Sequence, residues 1–451
     1  MQTDLFGSDV SLDTSTAVEA WNALQLAFLA HGASAPDHLG ATLKAAPEFA
    51  LGHATKGLFL LLLGRRELIP TAREALQAAR QGRADSARER AFIDALAAWL
   101  DGSPARAADR VESVLDTDPT DTLALKISHA IRFILGHKGR MLARLNTALP
   151  LIGEDHAARG YLMGCHAFAL EENGHFAEAR KSGEAGLERA ADDAWGLHAV
   201  AHVHDMTGDS RGGLAWLSGK EAAWAHCNNF RFHVWWHKAL MHLDQGDHAT
   251  VLDLYDHKIR AEHTDDYRDI SNATSLLMRL ELEGVPVGNR WEELADLSES
   301  RVGDGCLIFA DLHYLLALVS DDRDAAAHKL VARIVADGQA QATDYAPVFD
   351  HPGVAAAHGL EAFGEGNYAQ AFQSLTAARP AMQRAGGSHA QRDVFERITI
   401  DAGIRAGQLG PVEDILAARS ALRDGAEDSF ARQRREMIND LRRPAMAVPA
   451  Q

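Results

Sequence analysis

Cysteine is scarce in this sequence, with three residues among 451. Cys165, Cys227 and Cys306 lie far apart and form no C-x-x-C pair, so neither a zinc-finger nor a thioredoxin-type motif is present. An odd number of cysteines also argues against a disulfide framework. Cys165 precedes His166, but adjacent residues on a helix point about 100° apart, so these two side chains cannot form a catalytic dyad with each other.

Long apolar runs are also lacking, and the first residues do not have the pattern expected of a secretory signal. The run GLFLLLLG at 57–64 is far shorter than the ~18 residues of a membrane span. The N-terminus, MQTDLFGSDVSLD, has no basic start followed by an apolar core. We therefore expect a cytoplasmic protein that does not associate with membranes.

Basic residues are outnumbered, at 45 against 63 acidic ones, which gives a formal net charge of -18. Such a surface repels phosphate backbones, so we expect no nucleic-acid binding. The arginines at 432–443 are interrupted by Glu436 and Asp440, a mixture that predicts a solvated terminal helix. The G-x-S-x-G, G-x-G-x-x-G and P-loop patterns are missing, which leaves the common hydrolase, dinucleotide and nucleotide sites without support.

The sequence does contain a repeat. A helix, a glycine-bearing turn and an alanine-rich helix recur, as in LEENGHFAEAR at 170–180 and FGEGNYAQAFQSL at 363–375. The turn glycines of six units are spaced by 34, 38, 38, 82 and 41 residues, and the long gap leaves room for one more turn at 320–325. These glycines are Gly174, Gly208, Gly246, Gly284, Gly366 and Gly407. A period of about 34 to 40 residues is typical of tetratricopeptide-like arrays.

The repeat predicts an all-α fold, a tetratricopeptide-like α-solenoid of roughly ten helical hairpins with a concave inner channel. Small residues such as Ala177 and Ala371 are expected where the two helices of a unit approach closely. We divide the chain into an N-terminal tail (1–15), the repeat array (16–425), and a C-terminal helix with a disordered tail (426–451).

Five longer stretches follow one another along the chain. They are PEFALGHATKGLFLLLLG (47–64), HAVAHVHDMTGDSRGGLAWL (198–217), HVWWHKALMHLDQGDHATVLDLYD (233–256), LELEGVPVGNRW (280–291) and GGSHAQRDVF (386–395). Together they resemble the tetratricopeptide repeat protein 38 family, over about residues 12 to 410. The resemblance implies a helical-repeat fold and a mostly uncharacterised biochemical role. Members of that family can carry another polar residue at the position of His389, so the resemblance supports Ser388, Arg392 and Asp393 more than His389.

Many of the 23 histidines lie on the first helix of their repeat unit. When their positions are counted back from the turn glycine of each unit, two pairs of histidines with i, i+4 spacing lie on the same stripe of the first helix. His313 lies on the corresponding helix of a later unit. The two pairs are His198 with His202 and His233 with His237. His53 and His166 have similar positions. Because equivalent stripes of stacked units lie side by side, we expect these histidines to converge on the concave surface.

Two histidine pairs on adjacent helices form a set that could chelate zinc, iron or copper. The stretches HAVAH and HVWWH lack the glutamate of H-E-x-x-H, so a metalloprotease site is not indicated. A polar pocket for an organic ligand and purely structural packing are the alternatives to a metal site.

Two further groups complete the predicted site. Trp236 could supply a flat apolar wall to a ligand. In GGSHAQRDVF, Ser388 is the expected N-cap of a helix, Arg392 is a cation able to grip a carboxylate or phosphate, and Asp393 is an acid. His389 is a further ligand-binding candidate in the same stretch. A capped helix with an Arg–Asp brace between repeats is the alternative.

Three functions stay open. The first is a binding protein whose histidine-rich concave pocket takes a small anionic or aromatic ligand. The second is a metal-dependent hydrolase or oxygenase built on the repeat scaffold. The third is a protein-interaction scaffold that holds a peptide in the groove, a common use of such arrays.

Overall fold

Helices dominate the computed structural model, which describes residues 1–340 and 343–443. A single short antiparallel pair, β1 (Gln2–Thr3) and β2 (Asp9–Val10), precedes them in the described chain. The helices of the first half are α1 (Ser15–Leu29), α2 (Ala35–Ala45), α3 (Ala50–Leu62), α4 (Ile69–Gln81), α5 (Ala87–Leu100), α6 (Pro104–Leu115), α7 (Thr122–Ile134), α8 (Lys138–Ala148), α9 (Arg159–Glu172), α10 (Phe176–Leu187), α11 (Ala194–Met206), α12 (Ser210–Leu217) and α13 (Ala222–Ala225).

The second half of the chain continues the same pattern. Its helices are α14 (Phe230–Asp244), α15 (His248–Leu254), α16 (Tyr267–Leu282), α17 (Arg290–Ser300), α18 (Ile308–Ser320), α19 (Asp324–Ala340), α20 (Ala346–Val348), α21 (Ala355–Gly364), α22 (Tyr368–Ala378), α23 (His389–Arg405), α24 (Leu409–Leu422) and α25 (Ser429–Arg442). Short 3₁₀ segments cover Arg66–Leu68, Leu149–Leu151 and Arg379–Ala385, and π-helical segments cover Tyr255–Ile259 and Phe349–Val354. None of the described helices is both long enough and apolar enough to cross a membrane.

The predicted turns end the first helix of each hairpin. All six glycines of the repeat adopt positive φ, and Gly64, Gly102 and Gly136 do so at three earlier turns. In the wide gap the turn is made by Asp322, whose φ is 54°. Glycine suits this conformation because it lacks a Cβ, and it commonly ends helices in this way. The all-α, tetratricopeptide-like arrangement of helical hairpins is confirmed.

Close helix packing follows the predicted register in some units and departs from it in others. Ala371, on α22, is fully buried, as expected. Ala177 is exposed, and Ala179, two residues further along α10, is the buried small residue. Two residues turn a helix by about 200°, so the expectation for Ala177 assigned the wrong face.

Both ends of the described chain pack against the array. Residues 1–15, expected to be a tail, contain the β1–β2 pair and bury Val10 and Leu12. At the other end, α25 was expected to be solvated, but it buries Phe430, Ile438 and Arg434. The expectation of solvation is corrected because charge pattern alone does not reveal the apolar stripe on one side of a helix. The expected disorder at 444–451 lies outside the described residues.

The array curls until distant repeats touch. The guanidinium of Arg65 donates to both carboxylate oxygens of Asp265, at 3.0 and 2.9 Å. The backbone N–H of Asn228 donates to the carbonyl of His31 at 2.8 Å, and the backbone N–H of His389 donates to the Glu172 carboxylate at 2.6 Å. The predicted concave channel is therefore bounded by both halves of the chain.

Candidate functional site

A cavity of about 560 Å³ lies inside the curl of the array. Its wall is formed mainly by the first helices of the units, α1, α3, α7, α9, α11, α14 and α23, together with α2. The N-terminal helices supply apolar side chains, and Phe28 and Phe59 pack there with ring centroids 4.5 Å apart. A concave, mostly apolar space with a few polar groups is the usual form of a small-molecule site.

Aromatic rings line the opposite part of the wall. The imidazole of His31 stacks on both Trp195 and Phe230, with centroid distances of 5.2 and 4.6 Å, and those two rings also contact each other at 5.4 Å. Phe168 packs on Trp195 at 4.6 Å. These flat side chains offer stacking surfaces to a ligand without the conformational freedom of longer aliphatic chains.

Lys126 brings a positive charge to the cavity wall. Only 3% of it is exposed, and its ammonium lies 3.2 Å from His31 Nε2 and 3.7 Å from Cys165 Sγ. Within residues 1–340 and 343–443 it forms no ion pair with a carboxylate. Burial raises the pKa of nearby Asp193 to about 7, so that carboxyl is a weak counter-charge. A buried ammonium without a paired acid favours an anion beside it.

The four histidines predicted as a cluster do come together. Their ligand nitrogens all lie within 4.8 Å of one another, and each side chain is at least nine-tenths buried. The cluster, called here the histidine tetrad, consists of His198, His202, His233 and His237. His198 and His233 also line the cavity, whereas His202 and His237 lie deeper, toward Glu171 and Arg279.

The tetrad is neutral at physiological pH. Burial lowers the pKa of His233 to about 4 and lowers the pKa of His198, His202 and His237 well below the ordinary value. Repulsion from the neighbouring imidazoles lowers the last three further. Each ring therefore keeps one nitrogen lone pair available as an acceptor or a ligand.

Trp236 and His313 support the site from behind. Trp236 is fully buried and stacks on His233, with ring centroids 5.3 Å apart, so it backs a histidine rather than forming the cavity wall. His313 is fully buried on α18, where its Nδ1–H donates to the carbonyl of Phe309 at 2.7 Å. Phe309 itself lines the cavity.

Residues of the 386–395 stretch line two different cavities. Ser388 caps α23 through a reciprocal bond with Gln391, as predicted, and both residues line the large cavity. His389, Arg392 and Asp393 lie instead beside a second cavity of about 210 Å³.

Arg392 is not free to grip a ligand as expected. Its guanidinium donates to the carbonyls of Gly386 and Gly387, to Gln383 Oε1 at 2.8 Å and to Glu172 at 3.3 Å. These contacts fix the loop that precedes α23 and occupy both terminal nitrogens of the guanidinium.

Asp393 forms a brace, but not with Arg392. It pairs with Arg397 at 2.6 Å and with Arg419 at 2.8 Å. The nearby guanidinium groups, Arg419 first, hold the pKa of this buried carboxyl well below its usual range. Asp393 is therefore a buried ionised partner that joins α23 to α24.

Sequence reasoning missed several residues of the cavity. Lys126 and His129 had a readable signal, because they are polar residues within the mostly apolar run LALKISHAIRFI at 123–134. His31, with φ of 56°, sits in a turn and gave none. His166, which shares the histidine stripe, lies outside the tetrad and bonds Asn146 and Ser182. His53 bonds the carbonyl of Pro47, at the outer side of α3.

The helical hairpins and the inner cavity define the class: a tetratricopeptide-like helical-repeat protein with a polar site inside its curl. No family model matches the chain. Among solved structures, the chain is similar to the crystal structure of the P58(IPK) TPR domain, with 13% sequence identity, 72% of this chain and 99% of that chain covered, and a TM-score of 0.18. At that TM-score the likeness carries no weight, and the class stands on the helices themselves.

Proposed function

We propose that this protein binds a small ligand with an apolar or aromatic body and an anionic group, inside the cavity between its first helices. The observation that carries the proposal is the buried ammonium of Lys126, unpaired by any carboxylate of the described residues, on the wall of a cavity of about 560 Å³. The ligand's anion pairs with Lys126, and its apolar body lies toward Phe28 and Phe59.

The distribution of charge supports an anion rather than a cation at this position. Arg268 also reaches the cavity, but it is paired with Asp266 at 2.6 Å. His31 stays neutral because burial and then Lys126 lower its pKa well below the ordinary value. Lys56 also lines the cavity, but it is only half-buried, so Lys126 is the buried charge that a ligand can neutralise. A charge-assisted bond in a buried site is worth about 1.5 to 3 kcal/mol.

A peptide scaffold is the weaker alternative. Peptide-binding arrays need an open groove, whereas here Arg65 and Arg301 of distant units meet at Asp265, and both halves of the chain bound the interior. A compact ligand suits this interior better than an extended chain. The metal-dependent alternative depends on the histidine tetrad.

Membership of the tetratricopeptide repeat protein 38 family is proposed on the five ordered stretches alone. Cytoplasmic location stays a prediction of the sequence.

The proposal is tested with 1-anilinonaphthalene-8-sulfonate, an aromatic anion whose fluorescence rises in apolar surroundings. We expect saturable binding of one molecule per folded chain. Lys126→Met keeps the length of the side chain and removes its charge, so it should weaken binding by about 10- to 100-fold. Lys329→Met changes an exposed lysine on α19 and should leave the affinity unchanged.

A second variant separates the cavity from other apolar surfaces that could take the dye. Ala130 is half-buried and lines the cavity, so Ala130→Phe places a ring in the empty space and should abolish the site while the helical circular dichroism is kept. Equal binding by wild type, Lys126→Met and Ala130→Phe would refute the proposed function.

A further inference from the structure

The histidine tetrad joins two neighbouring first helices. His198 and His202 face one way on α11, and His233 and His237 face them from α14, since residues four apart share one side of a helix. The ring centroids of His202 and His237 are 4.3 Å apart, and those of His198 and His233 are 5.3 Å apart. Four imidazoles thus surround one small volume.

Hydrogen bonds to the outer nitrogens fix two of the tautomers. His198 Nδ1–H donates to the carbonyl of Trp195 at 2.7 Å, and His233 Nδ1–H donates to Asn272 Oδ1 at 3.2 Å. Asn272 Oδ1 also accepts from Gln391, which supports this orientation of the amide. The Nε2 atoms of both histidines therefore carry lone pairs. Metal-ligating histidines are held in this way by an acceptor on the other ring nitrogen.

The inner nitrogens have too few partners. His233 Nε2 and His237 Nε2 are 3.2 Å apart, and His237 Nδ1 and both nitrogens of His202 have no hydrogen-bond partner among the described residues. In a tetrahedral site with metal–nitrogen bonds of about 2.0 to 2.1 Å, neighbouring nitrogens are about 3.3 Å apart. The His233–His237 pair already has this spacing, and no two ligand nitrogens of the tetrad are more than 4.8 Å apart.

A buried carboxyl group, that of Glu171, stands behind the cluster. Glu171 Oε2 lies 3.7 Å from His202 Nδ1, and neither oxygen of Glu171 has a hydrogen-bond partner within the described chain. A carboxylate behind a ligating histidine is a common feature of transition-metal sites, because it orients the ring and increases its basicity. Glu171 and Glu172 also form a second set with His202 whose ligand atoms lie close together.

We propose that the histidine tetrad binds one divalent transition-metal ion of the zinc and copper class through its imidazole nitrogens, with Glu171 as the carboxylate behind His202. Neutral imidazoles suit these ions, whereas magnesium and calcium prefer oxygen ligands. His198 and His233 also line the large cavity, so the ion would lie at its deep end. The site is independent of the anion contact at Lys126, and either could fail without the other.

The test uses the full chain, stripped with a chelator and dialysed against zinc. We expect one zinc per chain by elemental analysis, and a visible absorption spectrum of tetrahedral cobalt when Co²⁺ replaces zinc. His202→Gln with His237→Gln should lower zinc affinity by at least about 100-fold. His242→Gln alters a histidine of the same helix that pairs with Asp247 outside the tetrad, and should bind like the wild type.

The cobalt spectrum of the wild type needs no variant, so the proposal stays testable if the double substitution fails to fold. A stripped wild type that takes up less than about one zinc per two chains, or that gives an octahedral cobalt spectrum, would overturn the proposal. So would a folded double variant with unchanged zinc affinity. Lys126→Met is expected to lose the anionic dye and keep zinc, which separates failure of this site from failure of the proposed function.

Discussion

At the scale of single residues, the interior contains polar groups that do little for stability. Both ring nitrogens of His129 lack a hydrogen-bond partner among the described residues, although only 5% of the residue is exposed. Burial, and then Lys126, lowers the pKa of His129 to about 3. Such unsatisfied buried groups are found at functional sites, where binding rather than packing determines the residue.

The shifted pKa of His129 makes stability depend on pH. Below its ordinary pKa of 6.5 the unfolded chain binds a proton that the folded chain does not bind until about pH 3. Above pH 6.5 the free energy of unfolding is therefore not reduced by this histidine. As the pH falls below 6.5, the free energy of unfolding decreases by about 1.4 kcal/mol per pH unit. His129→Leu should remove this dependence, so between pH 7 and pH 5 the variant should lose about 2 kcal/mol less stability than the wild type in urea unfolding. Equal losses of stability in the wild type and in His129→Leu between pH 7 and pH 5 would contradict the lowered pKa of His129.

At the scale of elements, the turns show which features of the fold a short stretch of sequence can predict and which it cannot. The turn glycines and the histidine stripe depend on local periodicity. Residues 170–180 and 363–375 show it for the glycines, and residues 198–202 and 233–237 show it for the histidines. The contact of Gly136 with Gln383 depends on how the small rotation between successive units adds up along the chain, which no short stretch records. For the same reason the sequence indicated the tetrad but not the approach of His31 to Lys126.

Two turn glycines give a matched test of this distinction. Both have positive φ, but a Cβ at Gly174 would meet nothing within 4 Å, whereas a Cβ at Gly136 would lie 1.9 Å from the carbonyl oxygen of Gln383. Gly174→Ala should cost about 1 kcal/mol, the price of a left-handed alanine. Gly136→Ala adds a clash with the backbone of a distant unit and should cost about 2 to 4 kcal/mol. Equal losses in urea unfolding would mean that these two units do not touch.

At the scale of the whole molecule, curling turns a repeat surface into an interior. Helices α1, α7, α11, α14 and α23 come from distant parts of the chain and border one cavity. The aromatic rings and the apolar side chains of α1 and α3 stabilise this arrangement, while Lys126, His129 and the tetrad are polar groups that it has to accommodate. Proteins tolerate such a cost where the groups serve a ligand.

The claim that the tetrad serves binding and not packing is tested most directly by the free energy of unfolding of metal-free His202→Leu. His202 is fully buried, and neither ring nitrogen has a hydrogen-bond partner in the described chain, so leucine fills a similar volume without an unsatisfied polar group. If the tetrad exists for binding, the variant should be as stable as the metal-free wild type or more stable by about 1 to 3 kcal/mol. A loss of about 2 kcal/mol or more would show instead that His202 is a packing residue of the core.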